Sequence, residues 1–151
     1  MPKTIVMNRW SDMISLDTLL CSPNDFRSLM SGCGAYAIFI HSECIYIGCA
    51  GGIQGESVGA RIIKHYAKLT GWMIQGIGKV PLRWKKLQEA SLRISDVSVR
   101  VFPCANADVA KQVEATLLDE HARVFSKLPL LNARKVGSSV RRMSGITNPW
   151  L

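Results

Sequence analysis

Several features that define large protein classes are missing from this chain of 151 residues. Its longest apolar runs fall well short of the roughly 20 residues that a membrane-spanning helix needs. It has no internal repeat and no low-complexity segment, and its start, MPKTIVMNRWSDM, lacks an apolar stretch followed by a small-residue cleavage site. We therefore expect a soluble protein with no membrane partner and no secretory signal.

The cysteines show no paired spacing. There are five, and no two of them form a C-x-x-C pair. Neither a disulfide framework nor a ribbon-type zinc site is indicated, so the expected setting is the reducing cytoplasm. A thiol enzyme that uses one cysteine with His41, His65 or His121 is an alternative that no motif supports.

Acidic residues are scarce relative to basic ones. Nineteen Lys and Arg stand against 11 Asp and Glu, which gives a formal net charge of +8. On a small domain this surplus favours a polyanionic partner, nucleic acid first and an anionic membrane second. From Lys127 to Leu151 the chain has five basic residues and no acidic one, which predicts a solvated basic tail at 133–151 that could lie along phosphates.

The length fits one domain, 1–151, and 48% hydrophobic content is enough to close one core. Helix-start residues at 22–25 predict a short helix, so residues 1–31 form an N-terminal helical cover. The stretch GAYAIFIHSECIYIGCAGG follows from Gly34. Its apolar residues predict two strands, Ala35–Ile40 and Cys44–Gly48, joined by a polar turn.

Helices and one more strand are predicted beyond this hairpin. Helical spacing marks ARIIKHYAKL at 60–69, the basic segment PLRWKKLQEASLRI at 81–94, and a helix from about 108 to 125 that Asn106 or Asp108 caps. DVSVRVFPC at 96–104 alternates as a strand does. The order predicts an α/β (α+β) fold, with a small three-stranded antiparallel sheet flanked by helices.

Two short motifs and four single residues of the chain follow the order of a known motif set. They are Gly34-x-Tyr36, Tyr46-Ile47-Gly48, Arg61 and His65 on the next helix, Glu114 on a later helix, and Asn132 after an apolar segment. In this order and on these elements they resemble the GIY-YIG nuclease superfamily, over most of the chain. The first tripeptide has Ala35 where the family has Ile, and the glycine-rich loop before Arg61 is longer than in compact members.

The resemblance implies a divalent-metal-dependent DNA endonuclease with a site made of Tyr36, Tyr46, Arg61, His65, Glu114 and Asn132. Phosphodiester hydrolysis needs a positioned water and neutralised phosphate oxygens, which a divalent cation and an arginine can provide. Glu114 would hold Mg²⁺ or Mn²⁺, because a hard cation that keeps most of its waters needs only one or two carboxylates. Glu120 is the alternative acid, and Lys64 is the alternative to Arg61.

Three residues are candidates for the base that takes a proton from the attacking water: Tyr46, Tyr36 and His65. The resemblance favours a tyrosine, Tyr46 first, whose pKa near 10 the metal and Arg61 would have to lower. Arg61 can bind a phosphate through two parallel hydrogen bonds, and His65 shares its helix face. Asn132 is expected to fix the local backbone or a tyrosine hydroxyl.

The expected partner is DNA, double-stranded in preference to single-stranded, although RNA stays open. Basic residues predicted to contact it are Lys64, Arg83, Lys85, Lys86, Arg134, Lys135, Arg141 and Arg142.

The lack of a separate recognition domain favours a restriction-type, phage or toxic nuclease over a homing or repair enzyme. Cleavage of both strands would indicate a homodimer or two successive events. The alternative function is a non-catalytic nucleic-acid-binding module on the same scaffold.

Overall fold

The structure, a computed structural model, describes residues 10–51, 56–70, 84, 87 and 92–150. In these residues the strands are β1 (Ile14–Ser15), β2 (Gly34–Ile40), β3 (Glu43–Ala50) and β4 (Val97–Pro103). The α-helices are α1 (Leu16–Cys21), α2 (Arg27–Met30), α3 (Val58–Thr70) and α4 (Ala107–Phe125). Short 3₁₀ segments lie at Pro23–Phe26 and Ile94–Asp96. The predicted α+β class is confirmed.

All pairings in the sheet are antiparallel, and the strand order is β1-β4-β2-β3. The described sheet has four strands rather than the predicted three, because Ile14 pairs with Val99 and Ser15 with Ser98. The N-terminal segment at 1–31 therefore supplies a strand as well as helices, and is more than a helical cover. Two residues are too few to show the alternation by which a strand is recognised in a sequence.

Alternate residues of β2 contribute to two different core clusters, as the pleat of a strand requires. Tyr36 belongs to the cluster that contains Ile62 of α3. Ala37 belongs to the cluster that contains Val113 and Leu117 of α4. The sheet therefore lies between α3 on one face and α4 on the other, and β3 is one of its two edges.

Side-chain caps start the two long helices. The Asn106 side chain accepts a hydrogen bond from the Val109 backbone N–H at 2.9 Å, so Asn106 rather than Asp108 is the cap of α4. Before α3, the Ser57 hydroxyl accepts from the Ala60 N–H at 3.2 Å. Helix α3 thus contains the whole of the predicted segment 60–69 and begins two residues earlier.

The C-terminal segment packs against the domain through its apolar residues, while many of its other described residues, such as Arg134 and Arg141, are exposed. The prediction of a solvated tail at 133–151 did not include this packing. Four of its apolar residues pack against the cluster on the α4 side: Val136, Met143, Ile146 and Trp150. Arg142 donates a hydrogen bond to Asp119 of α4 at 2.9 Å. Trp10 donates from its indole N–H to the Thr147 carbonyl at 2.7 Å. The prediction counted the charges of this segment and neglected its apolar residues.

Part of the predicted basic helix at 81–94 lies outside the described residues, and with it Arg83, Lys85 and Lys86. Trp84 and Leu87 are described, and both pack in the cluster on the α3 side of the sheet. In the part of the chain that the structure covers, no helix is both long and apolar enough to cross a membrane.

Gly34 begins β2 at a place where neighbouring elements leave no room for a side chain. A Cβ atom there would lie 2.7 Å from the carbonyl oxygen of Phe102 in β4 and 3.3 Å from a methyl carbon of Val58 in α3. The first contact is with backbone, which cannot turn away as a side chain can. The first glycine of the Gly34-x-Tyr36 pattern therefore allows the close approach of β2 to β4.

We expect Gly34→Ala to lower the free energy of unfolding by about 1–3 kcal/mol, because β2 must move away from β4 to admit the methyl group. Equilibrium unfolding in urea measures the change. Gly32→Ala is the matched control, since the atom nearest to a Cβ there is 4.0 Å away. Equal unfolding free energies for the two variants would contradict the packing argument.

Candidate active site

Strands β2 and β3 bring two tyrosines together on one face of the sheet. Tyr36 pairs with Gly48 and Ile38 pairs with Tyr46, so the two tyrosines are diagonal neighbours whose ring centroids lie 6.1 Å apart. A Cβ atom on Gly48 would lie 2.7 Å from the Tyr36 hydroxyl oxygen and 2.8 Å from a Tyr46 ring carbon. Gly48 therefore leaves open the space that both rings occupy.

His65 of α3 completes this group. Its Nε2 lies 2.7 Å from the Tyr36 hydroxyl oxygen, and its ring centroid lies 4.5 Å from that of Tyr46. Trp84 stacks on His65 at 5.1 Å with an angle of 13° between the planes, and it meets Tyr46 edge-on at 5.4 Å. We call these four rings, Tyr36, Tyr46, His65 and Trp84, the aromatic cluster.

The imidazole of His65 is neutral near pH 7. Burial, followed by the nearby charges of Lys68, Arg61 and Lys64, lowers the pKa of His65 to about 3. A neutral imidazole has one acceptor nitrogen, so Nε2 can accept the hydrogen of the Tyr36 hydroxyl. A ring that resists protonation so strongly is a weak base, and this weighs against His65 as the group that takes a proton from water.

The two tyrosines differ in how deeply they are buried. Burial, followed by Tyr46, raises the pKa of the fully buried Tyr36 well above its usual value. Burial, and after it the negative charge of Glu114, also raises the pKa of Tyr46, whereas the positive charge of Arg61 lowers it. Tyr46 is only partly buried. Of the two, Tyr46 is therefore the tyrosine that water can reach.

Arg61 lies one helical turn before His65 and is in contact with an acid of the preceding loop. Its Nη1 lies 3.3 Å from one carboxylate oxygen of Glu56, and the Lys64 ammonium contacts the other oxygen. The Arg61 Nε is buried and has no hydrogen-bond partner within the described ranges. Burial acts to lower the pKa of Arg61, but Tyr36, Glu56 and Tyr46 offset it and the net shift is upward. Arg61 is therefore always charged.

Glu114 comes from α4, which packs on the opposite face of the sheet, and its charge reaches the aromatic cluster at the β3 edge. Its side chain is 11% exposed and pairs with Lys111, one turn earlier, at 2.8 Å. Burial, and after it the charge of Glu114, raises the pKa of both Tyr46 and Cys49. The charge of this carboxylate therefore acts on both residues. Glu120, the alternative acid, pairs instead with Arg123.

The cysteine thiols near the site stay protonated at neutral pH. Burial is the main cause that raises the pKa of Cys44 and of Cys49 to about 12. The thiolate is the nucleophilic form of cysteine, and an apolar, buried setting disfavours it. The alternative of a thiol enzyme at either of these two cysteines is therefore disfavoured.

The Asn132 side chain forms two hydrogen bonds with the backbone of β3 at Ile47, the residue after Tyr46. Its Oδ1 accepts from the Ile47 N–H at 2.9 Å, and its Nδ2 donates to the Ile47 carbonyl at 2.8 Å. The Leu131 N–H donates to the Ile45 carbonyl at 2.8 Å. These contacts occupy backbone groups that an edge strand would otherwise leave without a partner. Asn132 thus makes the backbone-fixing contact that was expected of it.

The donor set near the aromatic cluster suits a hard cation bound through few protein ligands. Among the residues that the structure describes, no three His, Cys, Asp or Glu side chains come together as a metal-binding group. A magnesium ion usually keeps several waters and takes only one or two carboxylates from the protein. The Glu114 carboxylate, whose charge acts on Tyr46, could supply one such ligand.

The predicted DNA-contacting residues differ in their surroundings. Lys64 lies at the site beside Glu56. Arg142 and Lys135 both contact Asp119, at 2.9 and 3.9 Å, so Arg142 is occupied by its own chain. Arg134 and Arg141 are exposed. Among the members of this set that the structure describes, Arg134 and Arg141 could contact a ligand without breaking an ion pair.

Sequence reasoning missed three residues that contact the predicted site residues: Glu56, Lys111 and the packed Trp84. Lys111 precedes Glu114 by three residues on one helix, and this spacing is a recognisable signal for an ion pair. Glu56 and Trp84 carry no such signal, because their partners lie across a loop or on another element.

Comparison of the chain with protein-family models, with curated proteins and with solved structures found no match. Inference about function therefore depends on the contacts described above and on the motif resemblance.

The neutral state of His65 predicts a loss of stability in acid. A histidine of the unfolded chain titrates near pH 6.5, and folded His65 near 3. Between these values the unfolded state binds one more proton. The free energy of unfolding is therefore unaffected by His65 above pH 6.5. Below that value it falls by about 1.4 kcal/mol for each pH unit, down to about pH 3.

Urea unfolding between pH 7 and pH 5 measures this slope. His65→Gln should remove the His65 contribution and leave that of other groups, such as His121, whose pKa burial also lowers. His41→Gln should retain the slope, because the His41 side chain is 71% exposed. The account of His65 is wrong if the His65→Gln variant loses as much stability in acid as the unchanged protein.

Proposed function

We propose that the chain is a divalent-metal-dependent endonuclease of the GIY-YIG type, which hydrolyses phosphodiester bonds in DNA. What supports the proposal is the convergence of residues from four elements at the β3 edge. Tyr36 and Tyr46 come from the sheet, Arg61 and His65 from α3, and Glu114 from α4. One of these charges alone would be unremarkable on a basic protein, but together they supply an acid, a cation and a hydroxyl group at one place.

Arg61 is the residue best placed to bind the scissile phosphate. Its guanidinium is charged, partly exposed, and has an Nε without a partner among the described residues. A guanidinium can donate two parallel hydrogen bonds to a phosphate, which orients the group and neutralises the charge that develops on its oxygens. Arg61 would therefore hold the phosphate beside the hydroxyl of Tyr46.

Glu114 is the residue that would hold Mg²⁺ or Mn²⁺. A bound divalent cation would neutralise phosphate charge and lower the pKa of a nearby hydroxyl. Lys111 now pairs with this carboxylate, but its side chain is 48% exposed and can turn to solvent or to a phosphate. Glu114 would then be free to bind the ion.

Tyr46 is the proposed general base. Its side chain is only partly buried, and the charges of both Arg61 and Glu114 act on its pKa. Its raised pKa keeps it protonated in the free protein, so it could take a proton only once further positive charge is nearby. Tyr36, which is buried and hydrogen-bonded to His65, would fix the position of the Tyr46 ring.

Double-stranded DNA is the proposed substrate, on the basis of the net charge of +8. The cytoplasm is the proposed compartment, since the five cysteines are free thiols. One site cuts one strand, so cleavage of both would need a homodimer or two successive events. A restriction-type, phage or toxic nuclease would each be consistent with this chemistry.

Supercoiled plasmid incubated with Mg²⁺ or Mn²⁺ should be nicked or linearised, and EDTA should abolish the cutting. Glu114→Gln should lower the rate by about 10²–10³, because it removes the charge that would hold the cation. Glu120→Gln is the matched control: it removes the same charge from the same helix, away from the aromatic cluster, and should cut normally.

Equal cutting by the Glu114→Gln and Glu120→Gln variants would contradict the metal assignment. Plasmid that is retarded in a gel but never cut would instead favour the non-catalytic binding module.

The variants Tyr46→Phe and Tyr36→Phe distinguish the proposed general base from the residue that positions its ring. If Tyr46 takes the proton, Tyr46→Phe should lower the single-turnover rate by about 10²–10⁴. Tyr36→Phe should cost less, because the buried Tyr36 hydroxyl takes no part in the proposed proton transfer and only positions its neighbours. Retention of activity over the whole pH range in Tyr46→Phe would exclude Tyr46 as the base.

A further inference from the structure

The cations proposed to bind phosphate already hold an anion from their own chain. Glu56 ends the glycine-rich loop, and its two carboxylate oxygens contact different residues. One oxygen lies 3.3 Å from Arg61 Nη1, and the other contacts the Lys64 ammonium. A carboxylate that presents two oxygens to two cations resembles two non-bridging oxygens of a phosphodiester in charge and in spacing.

The position of Glu56 is set by the backbone around it. The Glu56 carbonyl accepts a hydrogen bond from the Gly51 N–H at 2.9 Å, and the next residue, Ser57, caps α3. The carboxylate is therefore held near the start of the helix that carries both of its partners. Its side chain is 31% exposed, and those of Arg61 and Lys64 are 40% and 39% exposed, so solvent and a ligand can reach all three.

The contacts leave the arginine only partly satisfied. Arg61 Nη1 makes a long contact to Glu56, and its Nε has no partner among the residues described. A partly exposed ion pair contributes little stability, so a ligand that offers more hydrogen bonds can replace it. A phosphate offers several acceptor oxygens to the exposed part of the guanidinium, whereas Glu56 offers it one.

We propose that Glu56 is an internal ligand of an oxyanion site formed by Arg61 and Lys64, and that a phosphodiester of the nucleic acid displaces it. The identity of the displacing anion rests on the proposed function. The site itself rests only on the three contacting side chains. Glu56 thus sets the affinity for nucleic acid, because each binding event must first break its two ion pairs.

Glu56→Gln should tighten binding by roughly three- to tenfold, because a neutral amide leaves both cations ready for phosphate. Since the two cations are then free to contact DNA, the dependence of affinity on salt should also become steeper, by about one phosphate contact. The probe is a short fluorescein-labelled DNA duplex, and the measurement is fluorescence anisotropy over a range of salt concentrations. EDTA is present, so no cutting can occur.

Glu120→Gln is the matched control for charge. It removes one negative charge from an ion pair with Arg123, as Glu56→Gln removes one from Arg61 and Lys64. The expected tightening must exceed that of the control. In a Lys64→Met background, the effect of Glu56→Gln should shrink, because one of the two competing contacts is already lost.

The proposal is overturned if Glu56→Gln and Glu120→Gln bind the duplex with the same affinity and the same salt dependence. That result would leave metal-dependent plasmid cutting untouched. Tighter binding by Glu56→Gln without any cutting by the unchanged protein would support the internal ligand and overturn the proposed catalysis. The two inferences therefore fail separately.

Discussion

A Cβ atom at position 48 would lie 2.7 Å from the Tyr36 hydroxyl and 2.8 Å from the Tyr46 ring, and the candidate site depends on its absence. Because Gly48 has no Cβ atom, two rings from neighbouring strands can pack over it on one face of the sheet and contact His65 of α3. The backbone at this point must also stay in place, although β3 is an edge strand. Asn132 supplies that restraint through both polar groups of the Ile47 backbone.

Charge at this edge is balanced in the free protein by two internal ion pairs. Glu56 holds Arg61 and Lys64 on the α3 side, and Lys111 holds Glu114 on the α4 side. Without metal or phosphate, neither the arginine nor the carboxylate leaves a large unpaired charge beside buried aromatic rings. Buried charges without partners are costly, so this pairing stabilises the arrangement in the absence of ligands. A metal ion or phosphate that binds as we propose must compete with the protein's own side chains.

The sequence predicted the parts of the fold that repeat regularly. Strand alternation at Val97, Val99 and Val101 and helical spacing at 60–69 both appear in the structure. The β1 pairing escaped prediction because two residues carry no period, and the packing of residues 133–150 escaped because its scattered apolar residues follow none. Similarly, the order of Arg61, His65 and Glu114 could be read from the sequence. The contacts of Glu56 with Arg61 and Lys64 could not, because they follow neither helical nor strand spacing.

We propose, as the central point, that one site at the β3 edge binds a divalent cation beside Tyr46 and Arg61. Paramagnetic broadening of backbone amide signals by Mn²⁺ tests it directly, because the effect falls steeply with distance from the ion. At low Mn²⁺ the amides of Tyr46, Cys49 and Glu114 should broaden first, and Glu114→Gln should abolish the pattern. Broadening that begins elsewhere, or that persists unchanged in Glu114→Gln, would contradict the account.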